Sequence, residues 1–194
     1  DRFMLPFYIS GAALASMLFI LDMASRQALI GTAMANVTLK LFISSEKAES
    51  EIFFKGAFLV CVVFIITCLI GAYFAENAIL QFLGIGAYKF SAILNLWVGF
   101  SLLVLHSIQW QWIVALSLEK SLARFLVAEL LVLLPLLYIL LKIDAVFYLS
   151  VLLFFRACAQ IFAGDFLIGR PIKNMLSAQL FFILIFVVIN TTFI

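Results

Sequence analysis

Charge is scarce in this chain. Asp, Glu, Lys and Arg make up 11% of its 194 residues against 67% hydrophobic, and a single soluble core of that length cannot bury so much apolar side chain. A soluble globular fold is excluded. The formal net charge of +2 is small and scattered, whereas a nucleic-acid partner needs clustered cations to track phosphates. No nucleic acid is expected. The three cysteines, Cys61, Cys68 and Cys158, lie inside apolar runs without metal-ligand spacing, and an odd count cannot close into a full disulfide set. They read as packing residues. With a single histidine, His106, a hydrolase built on an imidazole base has one place to put it. No glycine-rich phosphate loop, metal-spaced cluster or nucleophile–base set is found in the sequence. The expectation is therefore a non-enzyme, with no metal and no cofactor.

What the chain has is phenylalanine, 22 of them, and long apolar runs broken by only three prolines. Runs near 20 residues cross about 30 Å of hydrocarbon as helices. Six such runs predict an all-α integral membrane protein: Phe3–Leu21, Ala57–Ala75, Phe90–Trp112, Leu122–Leu141, Ala145–Ile168 and Met175–Ile194. The whole chain reads as one polytopic domain in the lipid bilayer. Membrane-barrel alternation, with strands of about ten residues between turn clusters, is absent. The first run lacks a basic leader and a small-residue cleavage site, so it is no signal peptide.

Lys and Arg sort by connection. Arg26, Lys40, Lys47, Lys55, Lys120, Arg124, Arg170 and Lys173 fall in the first, third and fifth connections, while Arg2, Lys89 and Lys142 fall on the other side. The positive-inside bias makes the odd connections cytoplasmic and puts both termini on the far side. Trp110 and Trp112 close the third span, where amphipathic rings suit the headgroup level. Ile113–Arg124 mixes apolar and charged residues as a short surface helix would. The connection from 22 to 55 reads as amphipathic and helical, with Ile30, Met34, Val37 and Leu41 forming one apolar stripe and Gly31 a bend. Glu46, Lys47, Glu49 and Glu51 are expected to form a solvated turn before the second span.

Polar groups inside the runs draw the most attention. A charge at the bilayer centre costs about 2.5–3.5 kcal/mol on insertion scales, so it faces protein or water. Arg156 sits eleven residues into the fifth run, with Gln160 one turn further on the same face and Gly164 and Asp165 beyond. Two roles are open for Arg156: pairing with a neighbouring helix, or contacting an anion. In the third run Asn95, Gly99, Leu102, His106 and Gln109 recur at steps of four and three, a stripe that must point inward. Glu129, the only charge between Phe125 and Leu141, lies at a depth similar to His106 and is expected to share a proton or a hydrogen bond with it where the helices adjoin. Pro135 frees a carbonyl in the same helix. Gly11 and Ala15 form a small-xxx-small contact motif, and Asn36 and Asn190 open glycosylation sequons that are frequent by chance.

The order of these features resembles the multidrug/oligosaccharidyl-lipid/polysaccharide exporter superfamily, and within it the Wzx-type flippases of lipid-linked oligosaccharides. The residues that carry the likeness are Phe7–Leu41 followed by Ser44–Ala75, similar to a second-lobe helix leading through a charged connection to a long apolar helix. Phe82-Leu83-Gly84-Ile85-Gly86-Ala87-Tyr88 resembles a short outer turn, while Ala115–Arg124 and Gly169-Arg170-Pro171 resemble basic inner loops. By this likeness the chain covers most of the second of two six-helix lobes, from its second helix on. Lys142-Ile143-Asp144 stands where a glycine-rich outer turn is expected, and the first residue is Asp1; a fragment or a processed chain is the expectation.

The resemblance implies flipping of a lipid-linked oligosaccharide across the bacterial inner membrane, for cell-surface polysaccharide, by alternating access around a hydrated cavity. On that reading Arg156 contacts phosphate, Gln160, Asn95 and His106 offer hydrogen bonds, and Glu129 couples an ion. The partner is the first lobe or another membrane chain. The alternatives are a structural or assembly subunit of a membrane complex, and a small drug or cation carrier of the same superfamily.

Overall fold

The structure is a computed structural model that describes residues 18, 22, 26, 33–34, 37–44, 46–83, 87–141 and 145–193. Among them are five long helices: α1 (Lys47–Leu83), α2 (Ala87–Ala115), α3 (Glu119–Leu141), α4 (Ala145–Ile168) and α5 (Ile172–Thr192). All five are long and apolar enough to cross a bilayer. Of the six expected spans, Phe3–Leu21 lies, apart from Leu18, outside the described residues, and so do Gly11, Ala15, Ile30 and Gly31. The other five coincide with α1 to α5.

Three boundary expectations are corrected. Helix α1 starts at Lys47, so the connection expected to end at 55 ends before it, and Glu49 and Glu51 belong to a helix instead of a solvated turn. Local chemistry explains the extension: Lys55 Nζ meets Glu51 Oε1 at 3.0 Å one turn back, and Glu49 stands in the first turn, where an acid suits the helix dipole. No separate surface helix occupies 113–124. Helix α2 runs to Ala115, Ser117 takes the left-handed φ of 56°, and Leu118 N–H donates to the Ile113 carbonyl at 3.0 Å. Ile113 and Leu122 are fully buried, which is why apolar residues punctuate that charged segment.

The anchoring expectation fails for Trp112, while Trp110 is half-buried at the end of α2. Trp112 is 2% exposed and is a core residue, not a headgroup anchor; its ring stacks on Phe42 with centroids 5.6 Å apart. Phe42 and Thr38 are the buried residues of the helical stretch 37–44, whereas Met34, Val37 and Leu41 are exposed. The apolar stripe therefore faces outward.

Helices α2 and α4 form the centre of the bundle. Their backbones approach closely at Gly99, where an added Cβ would stand 3.3 Å from Phe154 Cα, as small-residue packing in membranes permits. The α2 stripe does point inward: Asn95, Leu102, His106 and Gln109 are all buried. Helix α4 ends on Gly169 at φ 74°, with Arg170 N–H donating to the Asp165 carbonyl at 3.0 Å, the glycine-capped stop that αL geometry provides. The α2–α3 and α4–α5 turns lie at one end of the bundle. Phe54, near the start of α1, joins them by packing on Trp112 at 5.9 Å. This end gathers Lys55, Lys120, Arg124, Arg170 and Lys173.

Candidate polar site within the bundle

Three layers of polar side chains join the described helices. The middle layer joins α3 to α4. Gln160 Nε2 donates to Glu129 Oε2 at 2.9 Å and to Oε1 at 3.3 Å, and Arg156 Nε donates to Glu129 Oε1 at 3.3 Å. Glu129 is ten residues from the start of α3 and Arg156 twelve from the end of α4, which at 1.5 Å per residue puts both about 15–18 Å from that end. That is mid-membrane depth. The Glu129 side chain is 6% exposed, the Arg156 side chain 31%. Spacing explains the convergence, since Arg156 and Gln160 are one turn apart and project over one face of α4.

The next layer lies nearer the basic end. Gln109 of α2 spends both amide hydrogens on α4: Nε2 donates to Asp165 Oδ1 at 2.8 Å and to the Ile161 carbonyl at 3.1 Å. Its Oε1 stands 3.1 Å from His106 Nδ1. Because that oxygen can only accept, His106 is the donor and carries its proton on Nδ1. The expected Glu129–His106 bond is thus replaced by two separate sets, Glu129 with Arg156 and Gln160, His106 with Gln109. Asp165 also accepts from Arg170 Nη1 at 2.9 Å. Gly164 leaves the room the Gln109 amide fills, since a Cβ at that position would run into it.

Asn95 belongs to a third layer. It exchanges amide hydrogen bonds with Asn190 of α5, at 3.1 Å and 3.3 Å, and is fully buried. Gly99 faces Phe154, so Asn95 is level with Ser150 of α4, six residues or about 9 Å along the axis from Arg156. Of the five residues singled out in the sequence, then, Arg156, Gln160 and Glu129 meet; His106 lies nine residues from the basic end of α2, a depth like that of Glu129, but bonds to Gln109, and Asn95 bonds to Asn190.

Sequence reasoning did not bring Asp165, Arg170 and Asn190 into a site. For Asp165 and Arg170 a signal exists: an acid and a base five apart across a helix-ending glycine. Cys61, Cys68 and Cys158 are free thiols; the Cys61 thiol contacts the Ser101 carbonyl at 3.5 Å. Among the described residues no group of His, Cys, Asp and Glu could hold a metal ion. Two cavities open on the bundle's flank. One of about 550 Å³ is almost wholly apolar, between α1 and α2 around Phe53, Val60 and Leu105. Another of about 270 Å³ lies between α1 and α5 beside Arg170. Neither is lined by Arg156, Gln160 or Glu129. Compared with known proteins, the chain matches no family model, no curated protein and no solved structure.

Proposed function

We propose that the chain is one lobe of a flippase for a lipid-linked oligosaccharide, working by alternating access in the bacterial inner membrane with its basic end toward the cytoplasm. One observation carries the reading: a guanidinium at mid-membrane depth with 31% of its side chain exposed. Facing acyl chains, that charge would cost a few kcal/mol; beside a hydrated passage it is solvated and available to an anion. The passage runs along the α3–α4 groove, and the exposed faces of α1 and α3 pack on the other lobe.

Glu129 and Arg156 supply the chemistry. At rest the carboxylate holds the guanidinium, with Gln160 fixing both carboxylate oxygens. A phosphate entering the groove competes with Glu129 for Arg156, and proton uptake by Glu129 removes the competitor. Reionisation of Glu129 on the far side restores the ion pair and expels the phosphate. His106 and Asn95, enclosed in other layers, hold helices together and do not touch substrate.

Arg156→Ala is expected to abolish glycan export in cells while the protein still inserts and accumulates; unchanged export overturns the reading. Glu129→Gln should retain substrate binding and lose turnover, because the guanidinium is released once and never recaptured.

The exposure of α1 and α3 also favours a second reading, an assembly subunit whose outer helices bind a partner chain. A stable complex with another membrane protein, together with surface glycan unaffected by deletion, decides for it. The cation-carrier alternative is weakened by Arg156 itself, which neutralises the one buried acid of the middle layer.

A further inference from the structure

The cavity between α1 and α5 is separate from the Arg156 layer, and nothing in the proposed transport cycle uses it. Its lining changes along the bundle axis. At the basic end stand Arg170 and the exposed Asn174; deeper in, Phe58, Val62 and Phe181 form the wall. Seven residues of α5 separate Asn174 from Phe181, about 10 Å. Polar groups thus lie at the helix ends and apolar groups below them, the order in which a phospholipid presents headgroup and acyl chain.

The guanidinium is held for such a ligand. Asp165 takes up Nη1 and the Phe54 ring lies 5.1 Å beneath it, so its plane is fixed, yet Nε finds no partner among the described residues. A buried donor left unpaired is costly. Exposed Lys173 adds positive potential at the same end. An arginine fork suits a phosphate better than a point charge does.

We propose that this cavity binds an anionic glycerophospholipid from the basic-end leaflet, its phosphate on Arg170 and Asn174 and one acyl chain against Phe58, Val62 and Phe181.

The test uses the full chain in non-ionic detergent micelles, with bound lipid counted by native mass spectrometry. Phosphatidylglycerol should bind about tenfold more tightly than phosphatidylcholine, the equivalent of one charge-assisted hydrogen bond. Asn174→Asp, which sets a carboxylate beside the phosphate, and Val62→Trp, which fills the acyl wall, should each reduce phosphatidylglycerol binding about tenfold without loss of helicity by circular dichroism. Equal binding of the two lipids overturns the proposal, as does indifference to both substitutions. Displacement of phosphatidylglycerol by millimolar inorganic phosphate would show a free-anion site and overturn the lipid assignment. Arg170 is left intact throughout, because its removal strands Asp165.

Discussion

Helices α2 and α4 differ from α1 and α3 in a way that inverts the rule for soluble proteins. About two thirds of the membrane-crossing window is buried in α2 and α4, 67% and 61%, against 6% in α1 and 11% in α3. Mean hydropathy runs the other way: α1 is the most apolar of the five helices and α2 the least. In a bilayer there is no hydrophobic gain from hiding one apolar helix behind another, since lipid tails are as apolar as leucine. Helices that carry amides, a histidine and small residues are the ones that must be enclosed. Burial here follows hydrogen-bonding need, not greasiness.

Substitutions can break this comparison at its strongest point first. Arg170→Leu leaves Asp165, 1% exposed, as an uncompensated carboxylate beside Gln109, and should destabilise the bundle by roughly 3–5 kcal/mol, read as earlier unfolding in SDS-titrated micelles. Next comes a pair of glycines. Gly99→Leu forces a side chain into the Phe154 backbone and should cost about 1–3 kcal/mol. Gly71→Leu on α1, with nothing within 4 Å of the added Cβ, should cost nothing or gain slightly through helix propensity. Equal effects at both positions would erase the distinction between centre and periphery. A smaller effect is expected of Asn95→Leu, which removes the amide pair with Asn190; about 1 kcal/mol is the scale of such bonds within membranes, and Asn95→Leu with Asn190→Leu should be less costly than the sum. Leu131→Ala on the exposed face of α3 sharpens the comparison from the other side, with unfolding in the same assay shifted by less than about 0.5 kcal/mol.

How much of this was legible in the sequence depends on which force fixes each element. Helices α2 to α5 could be located within about three residues of their observed limits, because hydropathy and length act locally. The inward stripe on α2 was legible for the same reason: its residues share one face by helical spacing alone. The partners of that stripe were not legible. Asn95 meets Asn190 ninety-five residues away, and Gln109 reaches Asp165, because α2 packs on α4 and α5, a tertiary choice that no periodicity encodes. His106 and Glu129 matched in depth, but depth does not say which faces meet; Gln109, one turn from His106 on its own helix, was the nearer acceptor. Trp112 misled for a related reason. A tryptophan at the end of an apolar run suits a headgroup belt, yet Phe42 and Phe54 supply a ring-lined slot that buries it.

Gln109 has a consequence for motion. Both of its donated hydrogens go to α4, one to a side chain and one to a backbone carbonyl, so α2 can neither rotate on its axis nor slide past α4 without losing the two together. Any rearrangement that keeps the bundle folded must carry these two helices as a single body. The freer element is α3, joined to α2 by a three-residue turn and to α4 through the Glu129 contacts. In the proposed transport cycle, opening and closing is then a swing of α3 about that turn, with the Glu129 carboxylate that leaves Arg156 as the latch.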